Sequence, residues 1–240
     1  MKRTLYTIAA LLGFVGGFVD SAGYLGLGGL FTSHVTGNLA VLGARLARQQ
    51  THGGAGAAGV AFIPIFAAAV ALAGIIARAA RDRRIGDAAP LLFAEGGILS
   101  LAAVAGHLAS DALARLDTAA ITSIGSIAVV AMGMQNGMMR VSFGGHAPTT
   151  VMTGNVTQLS LDLLELARTP RADAEHRFAV LDRIRKYGAA LAGFVVGAAA
   201  GAALEHLFGI ASFAVPSAVL LALASIELYH RLRPAPALLA

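Results

Sequence analysis

The chain has 240 residues, 57% of them hydrophobic and only 13% charged, and its mean hydropathy is +0.72. Water-soluble domains carry about a quarter charged residues, so a surface this poor in charge excludes that class. The net charge of +5 does not point to nucleic acid, because the basic residues sit in short runs between apolar stretches, as membrane orientation requires.

Crossing roughly 30 Å of hydrocarbon takes about 20 apolar residues. Six stretches meet that demand, near residues 5–26, 58–79, 90–109, 119–140, 187–207 and 211–230. The first follows Lys2 and Arg3 but is too long for a secretory signal core, and no polar domain follows it. It is expected to be a first crossing. Two further apolar stretches, 27–47 and 143–166, are interrupted, and each contains Thr-Gly-Asn. His52 to Gly59 reads as a flexible connector. Residues 168–186 mix acidic and basic side chains and predict an amphipathic helix on the membrane surface. With no cysteine in the chain, disulfides, thiolate catalysis and Cys-based metal sites are excluded.

Basic residues orient the crossings. They precede the first stretch, follow the second (Arg78, Arg81, Arg83, Arg84), precede the fifth (Arg168 to Lys186) and follow the sixth (Arg231, Arg233). All four clusters fall on the cytoplasmic side only if the two Thr-Gly-Asn stretches enter and leave on one face. Full crossing by both would give eight spans and move Arg78–Arg84 outside, while Arg45 and Arg48 would move inside. The six-span arrangement obeys the charge bias better.

An internal repeat appears when the chain is shifted by 117 positions. Gly16 then falls on Gly133, Gly28 on Gly145, Thr32 on Thr149, Leu42 on Leu159, and Thr36-Gly37-Asn38 on Thr153-Gly154-Asn155. Ser33 meets Thr150, and Asp20 lies one place from Asn136. With three spans per half, the second half is inverted relative to the first. The expected fold is an all-α membrane domain over 1–240, with one repeat over about 1–110 and the other over about 118–232. Inverted repeats with broken helices near the midplane are a recurrent transporter design.

The two tripeptides carry the candidate chemistry. Asn38 reads as an N-cap, Gly37 permits a sharp turn, and residues 39–47 predict a helix about 14 Å long, about half the hydrocarbon. Asn155 is expected to start a similar helix through about Ala167. Two helix N-termini meeting at mid-depth would present free N–H groups to an anion or polar solute. Candidate binding residues are Thr36, Gly37, Asn38, Thr149, Thr150, Thr153, Gly154 and Asn155, with Gln135 and Asn136 at matching depth. Pro148 supports the break before the second helix. Asp20, inside the first span, and Glu95, early in the third, are costly carboxylates and candidate proton carriers; His34 is a candidate relay. Arg140 closes the fourth span, as an anchor or as an attractor of anions. Nothing has zinc-ligand spacing, a phosphate loop or a nucleophile elbow, so no metal, no cofactor, no ATP drive and no enzyme are expected.

Gly17-Phe-Val-Asp20 leading to Phe31-Thr-Ser-His-Val-Thr-Gly-Asn38, and Met132-Gly-Met-Gln-Asn136 leading to Thr149-Thr-Val-Met-Thr-Gly-Asn155, resemble the YoaK-like family of bacterial membrane proteins. The resemblance covers nearly the whole chain. It implies a multipass inner-membrane location and assigns no substrate. The paired short helices are similar in concept to those of anion and nucleobase transporters of the sulfate-permease type, a likeness of design only.

Taken together these features predict a secondary transporter of a small polar or anionic solute in the bacterial inner membrane, with both termini cytoplasmic. Its partners would be lipid and solute, with a homo-oligomer left open. A passive channel, and a membrane enzyme or assembly protein, are the competing readings.

Overall fold

The computed structural model describes residues 2–47 and 58–232, and the basic residues Arg48 and Arg233 and most of the His52–Gly59 connector lie outside them. Every regular element among the described residues is helical. They are α1 (Lys2–Gly26), α2 (Gly37–Ala47), α3 (Ala58–Asp82), α4 (Ala88–Leu108), α5 (Ser110–Ala114), α6 (Thr118–Val141), α7 (Met152–Arg168), α8 (Ala174–Phe208) and α9 (Ala214–Leu232), with a 3-10 turn at Gly209–Phe213.

Five stretches are long and apolar enough to cross a membrane: Tyr6–Gly26, Gly59–Asp82, Ala88–Leu108, Thr118–Val141 and Ala174–Leu232. The last has 59 residues, about 89 Å if straight, three times the hydrocarbon thickness. It is folded at Gly209, whose φ of 59° suits glycine. Large apolar side chains such as Ile75, Val195, Val196 and Leu207 point outward. The surface is that of a multipass membrane protein.

One expectation is corrected here. Residues 174–186 do not form a separate surface helix; they are the first turns of α8. No Pro or Gly interrupts 174–187, and Asp173 caps the start by accepting from His176 N at 3.1 Å. The charged turns pack against α7, where Arg183 Nε donates to the buried Asp162 at 2.9 Å and Nη2 to Glu165 at 2.5 Å.

Small residues decide which helices touch. α1 and α8 run parallel in closest contact. Gly13 and Gly17 lie against the carbonyls of Ala190 and Phe194, and Gly193, Gly197 and Gly201 lie against those of Ala10, Phe14 and Phe18. α3 and α6 are also parallel, with Gly133 against Phe66 and Ala69 and Gly137 against Val70 and Ala73. α4 and α9 are antiparallel, since Ser217 Oγ donates to Gly96 O at 2.8 Å while Gly106 meets Ile210.

These contacts sort the helix ends. Gly26 and Gly106 both meet Ile210, so α1, α4 and α8 finish, and α9 begins, at one end of the bundle, the upper end. α6 follows from there through the short α5, and α3, parallel to α6, also starts there. At the lower end Gly86 abuts Arg231, and Arg81 Nη1 donates to Val141 O at 3.4 Å. Residues 27–47 therefore follow α1 from the upper end, where α3 also starts, and residues 142–173 leave and return at the lower. Arg45 Nη2 donates to Gly28 O at 2.6 Å, which ties the far end of α2 back to the end of α1.

Candidate functional site

α1 ends in a tight reversal. Leu27 N donates to Gly23 O at 2.9 Å and Gly29 N to Tyr24 O at 2.8 Å, with φ of 61° at Gly28 and 83° at Gly29. The chain then turns back along α1. Gly23 permits this, because a Cβ there would lie 2.9 Å from Thr32 Cγ2. The returning tip is gathered by one side chain. Asp20 Oδ1 accepts from Thr32 N at 2.8 Å, Thr32 Oγ1 at 3.0 Å and Ser33 N at 2.7 Å. Asp20 Oδ2 accepts from Ser33 Oγ at 2.7 Å and pairs with His34 Nδ1. Four donors and a ring nitrogen around a residue only 4% exposed are the shell that an ionised carboxylate takes. Asp20 is thus the anchor of the first tip, not a helix-end residue facing water.

The second tip reaches the same helix. A Cβ on Gly16 would lie 2.9 Å from Thr149 O and 3.4 Å from Thr150 Cγ2. Gln135 Nε2, from α6, donates to Leu12 O at 2.8 Å and to Thr149 Oγ1 at 2.9 Å. The two tips, Thr32-Ser33 and Thr149-Thr150, rest on α1 at Asp20 and Gly16, one helical turn and about 6 Å apart along the axis.

The N-cap expectation for Asn38 and the helix start expected at Asn155 are both corrected. Asn38 lies inside the first turn of α2, and its amide pairs with a whole peptide unit: Phe31 N donates to Oδ1 at 2.8 Å and Nδ2 donates to Phe31 O at 2.9 Å. A carboxamide satisfies a donor and an acceptor together in this way, whereas a cap would use its oxygen alone. Asn155 is the fourth residue of α7, which begins earlier than expected, at Met152. Its Nδ2 donates to Pro148 O at 2.6 Å, over the same offset of seven residues. Proline has no N–H, so Asn155 Oδ1 is left buried and unpartnered. Asn38→Ala, which strands both polar groups of Phe31, is expected to lower stability by about 2–3 kcal/mol, and Asn155→Ala by about 1 kcal/mol. Reversible unfolding in mixed detergent micelles measures both.

Other candidates scatter. Thr36, Thr153 and Gly154 are exposed and join neither tip contact. Asn136 bonds its own helix, Nδ2 to Met132 O at 3.3 Å. Glu95 is fully buried in α4 with both carboxylate oxygens unpartnered. Arg140, at the lower end, lines a small cavity.

Two cavities flank the tips. One of 580 Å³ is lined by Asp20, Tyr24, Phe31, His34 and Phe194, among others, and occupies the upper half. Its rings are close: Tyr24 and Phe31 have centroids 4.8 Å apart, and His34 and Phe194 5.9 Å. The other, of 230 Å³, lies in the lower half, lined by Asn136, Arg140, His146 and Thr150 among others. Sequence reasoning missed Thr32 and Ser33 as ligands of Asp20, although their repeat matches Thr149 and Thr150 were singled out. It also missed the aromatic wall, which carries no spacing signal because Phe194 comes from a distant helix.

The fold and site define a helical multipass membrane protein with two polar chain reversals gathered on its first helix. The chain belongs to the family described as Protein of unknown function (DUF1275), whose model matches residues 8–226. No curated protein and no solved structure matches it.

Proposed function

We propose that this protein is a secondary transporter of a small polar solute, with six crossings, two re-entrant segments and two inverted repeats. The observation that carries the reading is the meeting of both tips on α1, with one cavity above and one below. Such a plug between two half-channels is what alternating access requires.

The helix pairing supports the repeats. Exchanging α1–α4 for α6–α9 in order turns the α1/α8 contact into α6/α3, α4/α6 into α9/α1 and α2/α3 into α7/α8; all are present, and α4/α9 maps onto itself. Charge supports the orientation. Arg78, Arg81, Arg83 and Arg84, Arg140, Arg177 to Lys186 and Arg231 lie at the lower end, against Arg45 and Arg115 at the upper, a bias that supports a cytoplasmic lower end. The described chain starts and finishes there, in a bacterial inner membrane.

Asp20 gives the coupling step. As a carboxylate it accepts from the tip's N–H and O–H groups. A proton on it removes the charge those donors bind and loosens the tip from α1. His34, in contact with Oδ2, passes that proton to and from the upper cavity. Glu95 is the second titratable group at depth.

Proteoliposomes loaded with a pH-sensitive dye test this, with phosphate, glutamate, sorbitol and phenethylamine offered in turn under an imposed proton gradient. Saturable solute-coupled proton movement is expected for at least one of them, and Asp20→Asn is expected to abolish it. Movement that persists in Asp20→Asn defeats the coupling assignment. Flux that neither saturates nor follows the gradient makes the protein a channel.

A further inference from the structure

We infer that the upper cavity binds an organic cation: a protonated amine on a flat apolar or aromatic body. The inference deepens the transport reading by naming a ligand class, but it stands on binding and not on flux.

The volume comes first. At 580 Å³ the cavity falls within the usual size of small-molecule sites, about 300–1,000 Å³. Its walls are mainly apolar, with Tyr24, Phe31 and Phe194 supplying ring surface and Leu25, Ala202, Gly37 and Ser21 the remainder. Its polar end is the Asp20–His34 pair.

The charge of that end offers an anion no net attraction. Four donors surround the Asp20 carboxylate. His34 adds one positive charge when protonated and none when neutral. With Asp20 as the carboxylate that anchors the tip, the pair therefore carries zero or minus one. Among the described residues no other charged side chain lines the cavity.

The groups that would have bound an anion are already committed. The tip N–H groups of Thr32 and Ser33 both donate to Asp20. With Nδ1 facing Asp20, a neutral His34 presents Nε2 as an acceptor, which calls for a ligand N–H or O–H. Ring faces attract cations and not anions. Tyr24, Phe31 and Phe194 stand around the pair, with Phe31 and His34 centroids 6.4 Å apart and nearly edge to face. With His34 neutral, acceptor, negative charge and ring faces converge on one ligand chemistry.

Titration calorimetry of the purified full chain in a nonionic detergent, with phenethylamine as the probe, tests the site. Phenylacetate, of the same shape and opposite charge, is the comparison. Phenethylamine is expected to bind saturably at one site per chain, and phenylacetate at least tenfold more weakly. Phe194→Leu and His34→Gln, both at the cavity wall and neither removing the Asp20 anchor, are expected to weaken the amine at least tenfold. Equal binding of amine and acid overturns the proposal, as does an amine affinity unchanged in both variants or no saturable amine binding. An amine that binds but drives no proton movement in proteoliposomes leaves this site standing and defeats the transport reading.

Discussion

Asp20→Ala is expected to lower stability by about 3–5 kcal/mol, because it strands several buried donors at once. Thr32 N, Thr32 Oγ1, Ser33 N and Ser33 Oγ all donate to this one carboxylate, and Thr32 and Ser33 are buried beside it. Water at this depth is scarce, and unpaired backbone groups there are tolerated only inside protein or beside a wet cavity. The tip is therefore expected to leave α1 rather than stay in place unbonded. Asp20→Asn separates charge from shape. It keeps one acceptor oxygen of the same reach but turns an amide NH2 toward the hydroxyl or the ring, so an intermediate loss is expected. Ser33→Cys reports the tip directly, since the chain has no native thiol. Maleimide labelling is expected to be slow with Asp20 present and fast in the Ala background. A tip equally protected in both would show that α1 does not hold it.

The second large effect is expected at the α1–α8 seam. Gly17→Ala and Gly197→Ala each place a methyl well inside contact with a backbone carbonyl, of Phe194 and Phe14 respectively. A side chain can swing away from an intruding methyl, but a helical carbonyl cannot. The helices must separate, and each substitution is expected to cost about 3 kcal/mol, the upper end of what overpacking does. The loss spreads to the site, because α1 carries both tips and α8 supplies Phe194 to the cavity. Gly188→Ala, on the same helix with open space around it, is the matched control and is expected to change stability by less than about 0.5 kcal/mol. Unfolding midpoints of the three variants in one detergent decide the matter. Equal effects at 188 and 197 would rule out close packing as the cause.

Much of this was legible in the residues. Apolar length placed α1, α3, α4 and α6 within a few residues of their ends, since hydrocarbon thickness demands a minimum run whatever the packing. The interruptions at 27–36 and 142–151 were marked by Gly, Pro and Thr, which act on the local backbone. Asp20 was singled out because a carboxylate in an apolar run is costly anywhere. The asparagine partners were not legible. An N-cap and a bond to the peptide seven residues upstream use the same side chain, and only the path of the loop chooses between them. The extra turns of α8 were missed because their charges imitate a surface helix, while the partners that hold them, Asp162 and Glu165, sit on α7.

By itself the sequence determined the class: a chain this apolar, with its charges in short runs, has no soluble fold, and the breaks that precede its two Thr-Gly-Asn tripeptides come from local backbone chemistry. Only the tertiary structure decided that both tips land on one helix, that Asp20 rather than the asparagines anchors the first of them, and that the cavity beside it is walled by rings. Each of those facts depends on which helices approach closely. Glycine contacts set that approach between residues far apart in the chain, and a contact between distant residues leaves no local period to read.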